Sequence, residues 1–292
     1  MTWGAETQGP SASWQPAGRW TCSGSLGRAA HLAAIWLIAS TTTGAAAAGL
    51  QAVQPFSKAA VGEALPAPWR VVAFPGGGRA LTRFSIEAIG PDRVLRIAAD
   101  KSYGNALHEV KPVVLGAGST LKWSWRLEKP LRLANLKSRD GDDVALKVCA
   151  LFDLSLDKLG FVERNVMRMA RSRSSDPIPA ATLCYVWDHL LPEGSRLPNI
   201  YSQRLRFVVL NSGDKALGQW QTHERDLAAD FKQAFGHEAD EMPPLVAIAV
   251  GADADNTGDS SLAYVGDISL TLTPATPATP MSATPAGVTP TK

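Results

Sequence analysis

Between residues 65 and 272 the apolar positions recur mainly with a period of two. Leu121–Glu128 (LKWSWRLE) puts Leu121, Trp123, Trp125 and Leu127 on one face and Lys122, Ser124, Arg126 and Glu128 on the other. That is a strand with one face on a core and one in water. Val94–Ala99, Val144–Phe152, Thr182–Trp187, Leu205–Leu210, Leu245–Val250 and Leu262–Leu272 read as further strands. Val144–Phe152 and Leu245–Val250 are apolar at nearly every position, which suits strands covered on both faces. PGGG at Pro75–Gly78, IGPD at Ile89–Asp92 and NSGD at Asn211–Asp214 supply turn chemistry between them. The pattern predicts a mainly β fold, an antiparallel two-sheet sandwich of jelly-roll type.

One or two short helices interrupt the strands. Leu156–Arg171 (LDKLGFVERNVMRMAR) collects Leu159, Val162, Val166 and Met169 on one side, with Arg164, Arg168 and Arg171 elsewhere. A basic amphipathic helix of this kind either caps the end of a sandwich, its arginines in water, or touches anionic lipid. Asp226–Phe235 is the second helix, with Asp226 as its N-cap and Gly236 ending it in the left-handed conformation.

The two ends read differently from the middle. Arg19 and Arg28 precede the apolar run His31–Ser40, and small residues follow to Ala45–Ala48. This is the layout of a signal peptide, cleaved near Ala48 or Ala52, and the alternatives are an uncleaved anchor or an internal helix. The run is well short of the roughly 20 residues that span a bilayer. Residues 1–48 are thus expected to be leader, 49–64 a linker, 65–272 one β-sandwich domain, and 273–292 a disordered Thr/Pro/Ala tail. A periplasmic or secreted location follows as the expectation, with no stable membrane span after cleavage. Cys22 leaves with the leader. Cys149 and Cys184 remain, either as a disulfide or as two buried thiols. The formal net charge of +2 and the lack of basic blocks interleaved with aromatics give no footprint for nucleic acid.

Chemistry concentrates in Ala247–Leu270 (AIAVGADADNTGDSSLAYVGDISL), where Asp253, Asp255, Asn256 and Asp259 crowd what reads as a β-hairpin turn. Such a loop binds a hard cation, with Ca2+ the candidate cofactor, or holds a turn through side chain–backbone hydrogen bonds. It is not an EF-hand, because Tyr264 stands where the bidentate Glu belongs and the flanks are strands. A metal would need a partner loop, and Asp140-Gly141-Asp142-Asp143 is the acidic one. No nucleophile elbow, P-loop, zincin or dinucleotide motif is present. His108, His189, His223 and His237 have no ligand spacing and read as surface or loop residues. Asp143, Asp188, Glu224 and Asp226 are the carboxylates a glycosidase could use, and Trp187, Tyr201 and Trp220 are rings that could stack on sugars or sit in the core.

The runs LKWSWRLEKPL, GDDVALKV, ATLCYVWDHLLPEGSRLPNIYSQRLRFVVLNSG, GQWQTHERDLAADFKQAFG and VGADADNTGDSSLAYVGDISL resemble, in this order, a bacterial family catalogued as domain of unknown function 3047. The resemblance spans roughly Leu65–Leu272 and implies a single exported β-sandwich module. It marks Asp142, Asp143, Trp187, Asp188, Tyr201, Arg204, Arg225 and Asp226 as candidate ligand-binding residues, and Asp253, Asp255 and Asn256 beside them. It supplies no catalytic roles. Three function classes stand: a non-catalytic binding module for a glycan or other envelope ligand, a carboxylate-dependent enzyme acting on polysaccharide, and a structural envelope protein.

Overall fold

In chain order the strands begin with β1 (Gly49–Gln51), β2 (Arg70–Val72), β3 (Ala80–Leu81), β4 (Arg83–Ile89) and β5 (Asp92–Asp100). Then come β6 (Ser102–Val113), β7 (Thr120–Lys129), β8 (Val144–Phe152), helix α1 (Phe161–Arg173), β9 (Ala181–Asp188), β10 (Arg196–Pro198) and β11 (Leu205–Ser212). The chain continues with β12 (Gln221–Asp226), helix α2 (Leu227–Phe235), β13 (Leu245–Asp253), β14 (Ser260–Val265) and β15 (Ser269–Leu272). This computed structural model describes residues 49–73, 78–174 and 178–273. The expected leader, the tail beyond Thr273 and most of the PGGG turn lie outside the described residues.

The strands form the expected two-sheet sandwich. A seven-stranded sheet runs β1-β15-β7-β14-β5-β4, with β12 also on β7; an eight-stranded sheet runs β10-β11-β9-β8-β13-β6-β2, with β3 also on β6. Pairing is antiparallel except for β11 on β9 and β3 on β6, which are parallel. The first exception has a topological cause. The chain leaving β9 returns as β10 on the far side of β11, so β11 re-enters the sheet in the direction of β9, and a parallel neighbour needs such a crossover.

The core lies between the sheets and is rich in rings. β7 turns Trp123 and Trp125 inward, and β9 turns Tyr185 and Trp187 inward, all fully buried. Trp123 packs on Tyr185 at 5.1 Å between centroids, and Trp125 faces Trp187 at 6.4 Å. Their polar edges are partly satisfied within the core: Trp125 Nε1 donates to Asn211 Oδ1 (2.7 Å) and Trp187 Nε1 to the Gly213 carbonyl (3.1 Å). His223 and His108 are not the surface residues their scatter suggested. His223 lies against both β7 tryptophans and bonds Asn211, and buried His108 accepts from the Gln54 amide through Nε2.

Four local expectations change. Residues 49–64 are built into the domain: β1 pairs with β15, and fully buried Phe56 stacks on Trp69 at 4.9 Å. A segment without periodicity is thus held by one aromatic anchor. Leu262–Leu272 is broken into β14 and β15 at Gly266, whose amide donates to the Ser124 carbonyl and where a Cβ would meet the Ser124 hydroxyl. Asp226 does cap α2, but Gly236 stays right-handed (φ −60°) and is required because a Cβ there would run into the Lys232 carbonyl. Leu156–Arg171 is a 3-10 turn, Leu156–Lys158, followed by α1, whose Val162, Val166 and Met169 point to water instead of the core.

Two cross-braces generate predictions. Cys149 and Cys184 face each other across β8 and β9 and are disulfide-bonded, 35 residues apart in the chain. Closing a loop of that length removes enough unfolded-state entropy to stabilise the fold by about 2–4 kcal/mol. Urea unfolding with and without reductant should differ by that amount, and Cys149→Ala with Cys184→Ala should match the reduced protein. The second brace is Asp230 on α2, which accepts from Tyr185 Oη (2.8 Å), from Arg225 twice (2.8 Å each) and from Arg196 (2.9 Å). Burial alone would raise its pKa, but these hydrogen bonds outweigh that and hold it below the usual carboxylate range. A depressed folded-state pKa contributes stability above the unfolded value, and that stability is lost as pH falls through the folded value. Asp230→Asn should therefore cost about 3 kcal/mol at neutral pH, with the gap to wild type closing in acid.

Candidate functional site

The two acidic loops meet. β13 and β14 belong to different sheets, so Ala254–Asp259 is an arch between sheets and not a hairpin turn. The arch is held by Asp143 from the loop before β8. Its Oδ1 accepts from the Asn256 amide (3.1 Å), and its Oδ2 accepts from the Thr257 amide (2.7 Å) and hydroxyl (2.6 Å). In return Asp253 Oδ1 accepts from the Val144 amide (3.0 Å). Asn256 Nδ2 donates to the Arg139 carbonyl, to which Tyr201 Oη also donates. Asn199 Nδ2 reaches both oxygens of Asp142 (2.9 and 2.7 Å).

Asp143, Asp253 and Asp255 each bring one oxygen to within 4.8 Å of the others. Two protein cations partly offset this cluster, Lys147 from the interior and Arg79 from the surface. Lys147 Nζ bonds Asp253 Oδ1 (3.0 Å), and Arg79 pairs with Asp255. Burial by itself would lower the Lys147 pKa, but the adjacent Asp253 carboxylate more than offsets it, so the ammonium is held above its ordinary value. Burial raises Asp142. Calcium calls for six to eight oxygens; here Lys147 and the Val144 amide occupy Asp253 Oδ1, and the Asn256 amide and the Thr257 amide and hydroxyl occupy the two Asp143 oxygens. Asp259 stands outside the cluster, where it accepts from the Arg132 and Ser260 amides.

The remaining expected ligand residues are spread over separate structural tasks. Trp187 is core. Asp188 accepts from the Leu190 (2.7 Å) and Leu191 (2.5 Å) amides, holding the turn after β9. Buried Arg204 pairs with Glu163 (2.7 Å) and Glu238. Arg225 belongs to the Asp230 brace, and Asp226 caps Ala229 and the Gly118 amide. Tyr201 is exposed, with the Arg139 guanidinium 5.0 Å from its ring centre. Glu224 pairs with Lys122 in solvent.

The geometry offers a trough instead, on the outer face of the eight-stranded sheet. Two adjoining hollows of about 530 and 260 Å3 share Leu107, Leu151, Ser174, Ile178 and Pro179 in their walls. Their sizes are those of small-molecule sites, roughly 300–1,000 Å3. The floor carries Ala247, Ala249, Leu151 and the Cys149–Cys184 bridge, and Met167 of α1 forms part of one side. One end is polar: Lys147 Nζ lies 5.2 Å from the Tyr103 ring centre, and Asn105 Nδ2 donates to Tyr103 Oη (3.1 Å). Arg204 and Ser202 also border this hollow.

Lys147, Tyr103 and Asn105 went unread in the sequence, although Lys147 left a signal. It is the one charge in VALKVCALF, a strand otherwise apolar on both faces, and buried lysines are rare unless paired. Among the described residues, the carboxylates at this face each have a partner. Asp253 is tied to Lys147, Glu109 to Arg70 and Asp153 to Arg171, while Asp188 is spent on backbone amides.

Several solved structures overlap the chain loosely. The K3 adhesin domain of Lys-gingipain from Porphyromonas gingivalis W83 overlaps 77% of this chain and 99% of its own at 10% identity, with a TM-score of 0.35. A family 12 glycoside hydrolase overlaps 70% and 93% at 13% identity and a TM-score of 0.38. A cellulase engineered from that of Rhodothermus marinus overlaps 70% and 96% at 15% identity and a TM-score of 0.36. Overlap this loose says nothing about activity. Among curated proteins none matches the chain. Residues 67–269 match the family described as protein of unknown function (DUF3047), and the chain belongs to that family.

Proposed function

We propose that this protein is an exported, non-catalytic binding module, and that its ligand lies along the trough on the outer face of the eight-stranded sheet. The observation that carries this is a trough with an aliphatic middle and polar groups at its margins: Lys147, Tyr103 and Asn105 at one end, Arg204 and Ser202 beside them, and the paired Glu109, Asp153 and Arg171 at the other hollow. A sheet face this apolar is ordinarily covered; here Leu107, Leu151, Ala247, Ala249 and Ile178 border open hollows that finish at Lys147, Tyr103 and Asn105. Asp253 takes one of the three Lys147 N–H donors, which leaves the ammonium able to meet an anionic or carbonyl head group. The middle of the lining is aliphatic, and the exposed rings Tyr201 and Trp220 are not among the lining residues. The ligand class that fits is an acyl chain with a polar head, in preference to a flat sugar. Export is supported by the leader pattern and by the Cys149–Cys184 bridge, since structural disulfides persist in oxidising compartments.

A long-chain fatty acid carrying a fluorophore, titrated into the protein, should bind with saturable kinetics and be displaced by unlabelled fatty acid. Neutral oligosaccharides should not displace it. Ala249→Phe fills the floor and Ile178→Asp puts a charge on the wall; each should weaken binding by roughly tenfold, about 1.4 kcal/mol, with the melting temperature as the folding control. Oligosaccharide binding without acyl binding would transfer the site to a glycan. Acyl binding indifferent to both substitutions would remove the trough from the reading.

A further inference from the structure

Helix α1 turns its apolar stripe to water. Val162, Val166 and Met169 recur at four- and three-residue spacing on one face, with Phe161 at the helix start, and the four remain 74, 59, 52 and 79% exposed respectively. A surface helix normally buries such a stripe. The opposite face explains why this one does not. Met167 is buried there, Glu163 pairs with Arg204, Arg164 Nη2 donates to the Asp157 and Leu159 carbonyls, and Arg171 Nε donates to the Ile178 carbonyl. Charged side chains thus anchor the helix to the domain and fix its rotation, with the hydrophobic residues outward.

Cations flank the stripe. Arg168 and Arg173 are exposed on the helix, and across Leu156–Arg173 five basic residues outnumber the two acidic ones, Asp157 and Glu163. An apolar stripe bordered by arginines is the composition of a helix that lies in a membrane interface. We propose that α1 docks the protein on an anionic lipid surface, its four apolar side chains among the acyl chains and Arg168 and Arg173 at the phosphates. Charge selects this occupant: two copies meeting stripe to stripe would bring their arginines together, whereas an anionic bilayer complements them. The proposal is independent of the trough, because it rests on the face of α1 that points away from it.

An environment-sensitive fluorophore on Met169→Cys reports the stripe itself, whatever other segments of the chain do. Phosphatidylglycerol-containing vesicles should shift its emission to the blue, and phosphatidylcholine vesicles should do so weakly. Val162→Glu with Val166→Glu should weaken the response by roughly tenfold or more, and Arg168→Glu with Arg173→Glu should abolish the preference for the anionic lipid. These positions are exposed, so the melting temperature should hold. No shift with phosphatidylglycerol, or a shift unaffected by the glutamates, overturns the proposal. So does a lipid-free dimer, seen by light scattering, that the glutamates dissociate.

Discussion

The inward alternation of large rings on β7 and β9 is the constraint on which the rest depends. Side chains alternate across a strand with period two, so a slip of one residue would exchange the two faces entirely. Trp123 and Trp125 meeting Tyr185 and Trp187 between the sheets leaves a single workable register, because the exchanged arrangement would put these rings in water. Once the rings point inward, Cys149, Cys184 and Lys147 must point outward. The floor of the trough is therefore a consequence of the core. The bonds from Trp125 to Asn211 and from Trp187 to Gly213 add polar fixings to the same register at the end of β11.

Strand periodicity was readable because it is imposed by burial on one face. Val144–Phe152 has the bounds its apolar run indicated, and Leu205–Leu210 is the body of a strand only slightly longer. The sheet to which a strand belongs was not readable in the same way. β13 and β14 look like the arms of a hairpin, yet each finds partners far along the chain: β6 and β8 for one, β5 and β7 for the other. Local sequence specifies the turn, and distant packing decides whether it folds back or crosses over.

Polar residues were harder still. Asp142, Asp143, Asp188, Asp226 and Asp253 form a conspicuous acidic set, and a carboxylate that receives backbone amides has the same sequence appearance as one that faces a ligand. What separates them is the count of donors that three-dimensional folding brings to each oxygen. Asp143 alone takes two amides and a hydroxyl. The rotation of α1 failed to show for a related reason. Its apolar stripe was plain in the sequence, but the side that faces the domain is set by Glu163, Arg164 and Arg171, whose partners are a distant arginine and main-chain carbonyls.

The charge arrangement bears on what chemistry the trough can perform. A general acid or nucleophile needs a carboxylate whose oxygens are available to substrate and whose pKa suits the task. Those at or near this face are committed: Asp253 to a lysine and an amide, Glu109 and Asp153 to arginines, Asp188 to two amides. Releasing Asp253 for catalysis would leave the buried Lys147 ammonium uncompensated, at a cost of several kcal/mol. The group with spare capacity is Lys147 itself, held charged by Asp253 and positioned beside the Tyr103 ring. Lys147 thus stands as a fixed cation at one end of the trough, and the disulfide in its floor braces β8 against β9.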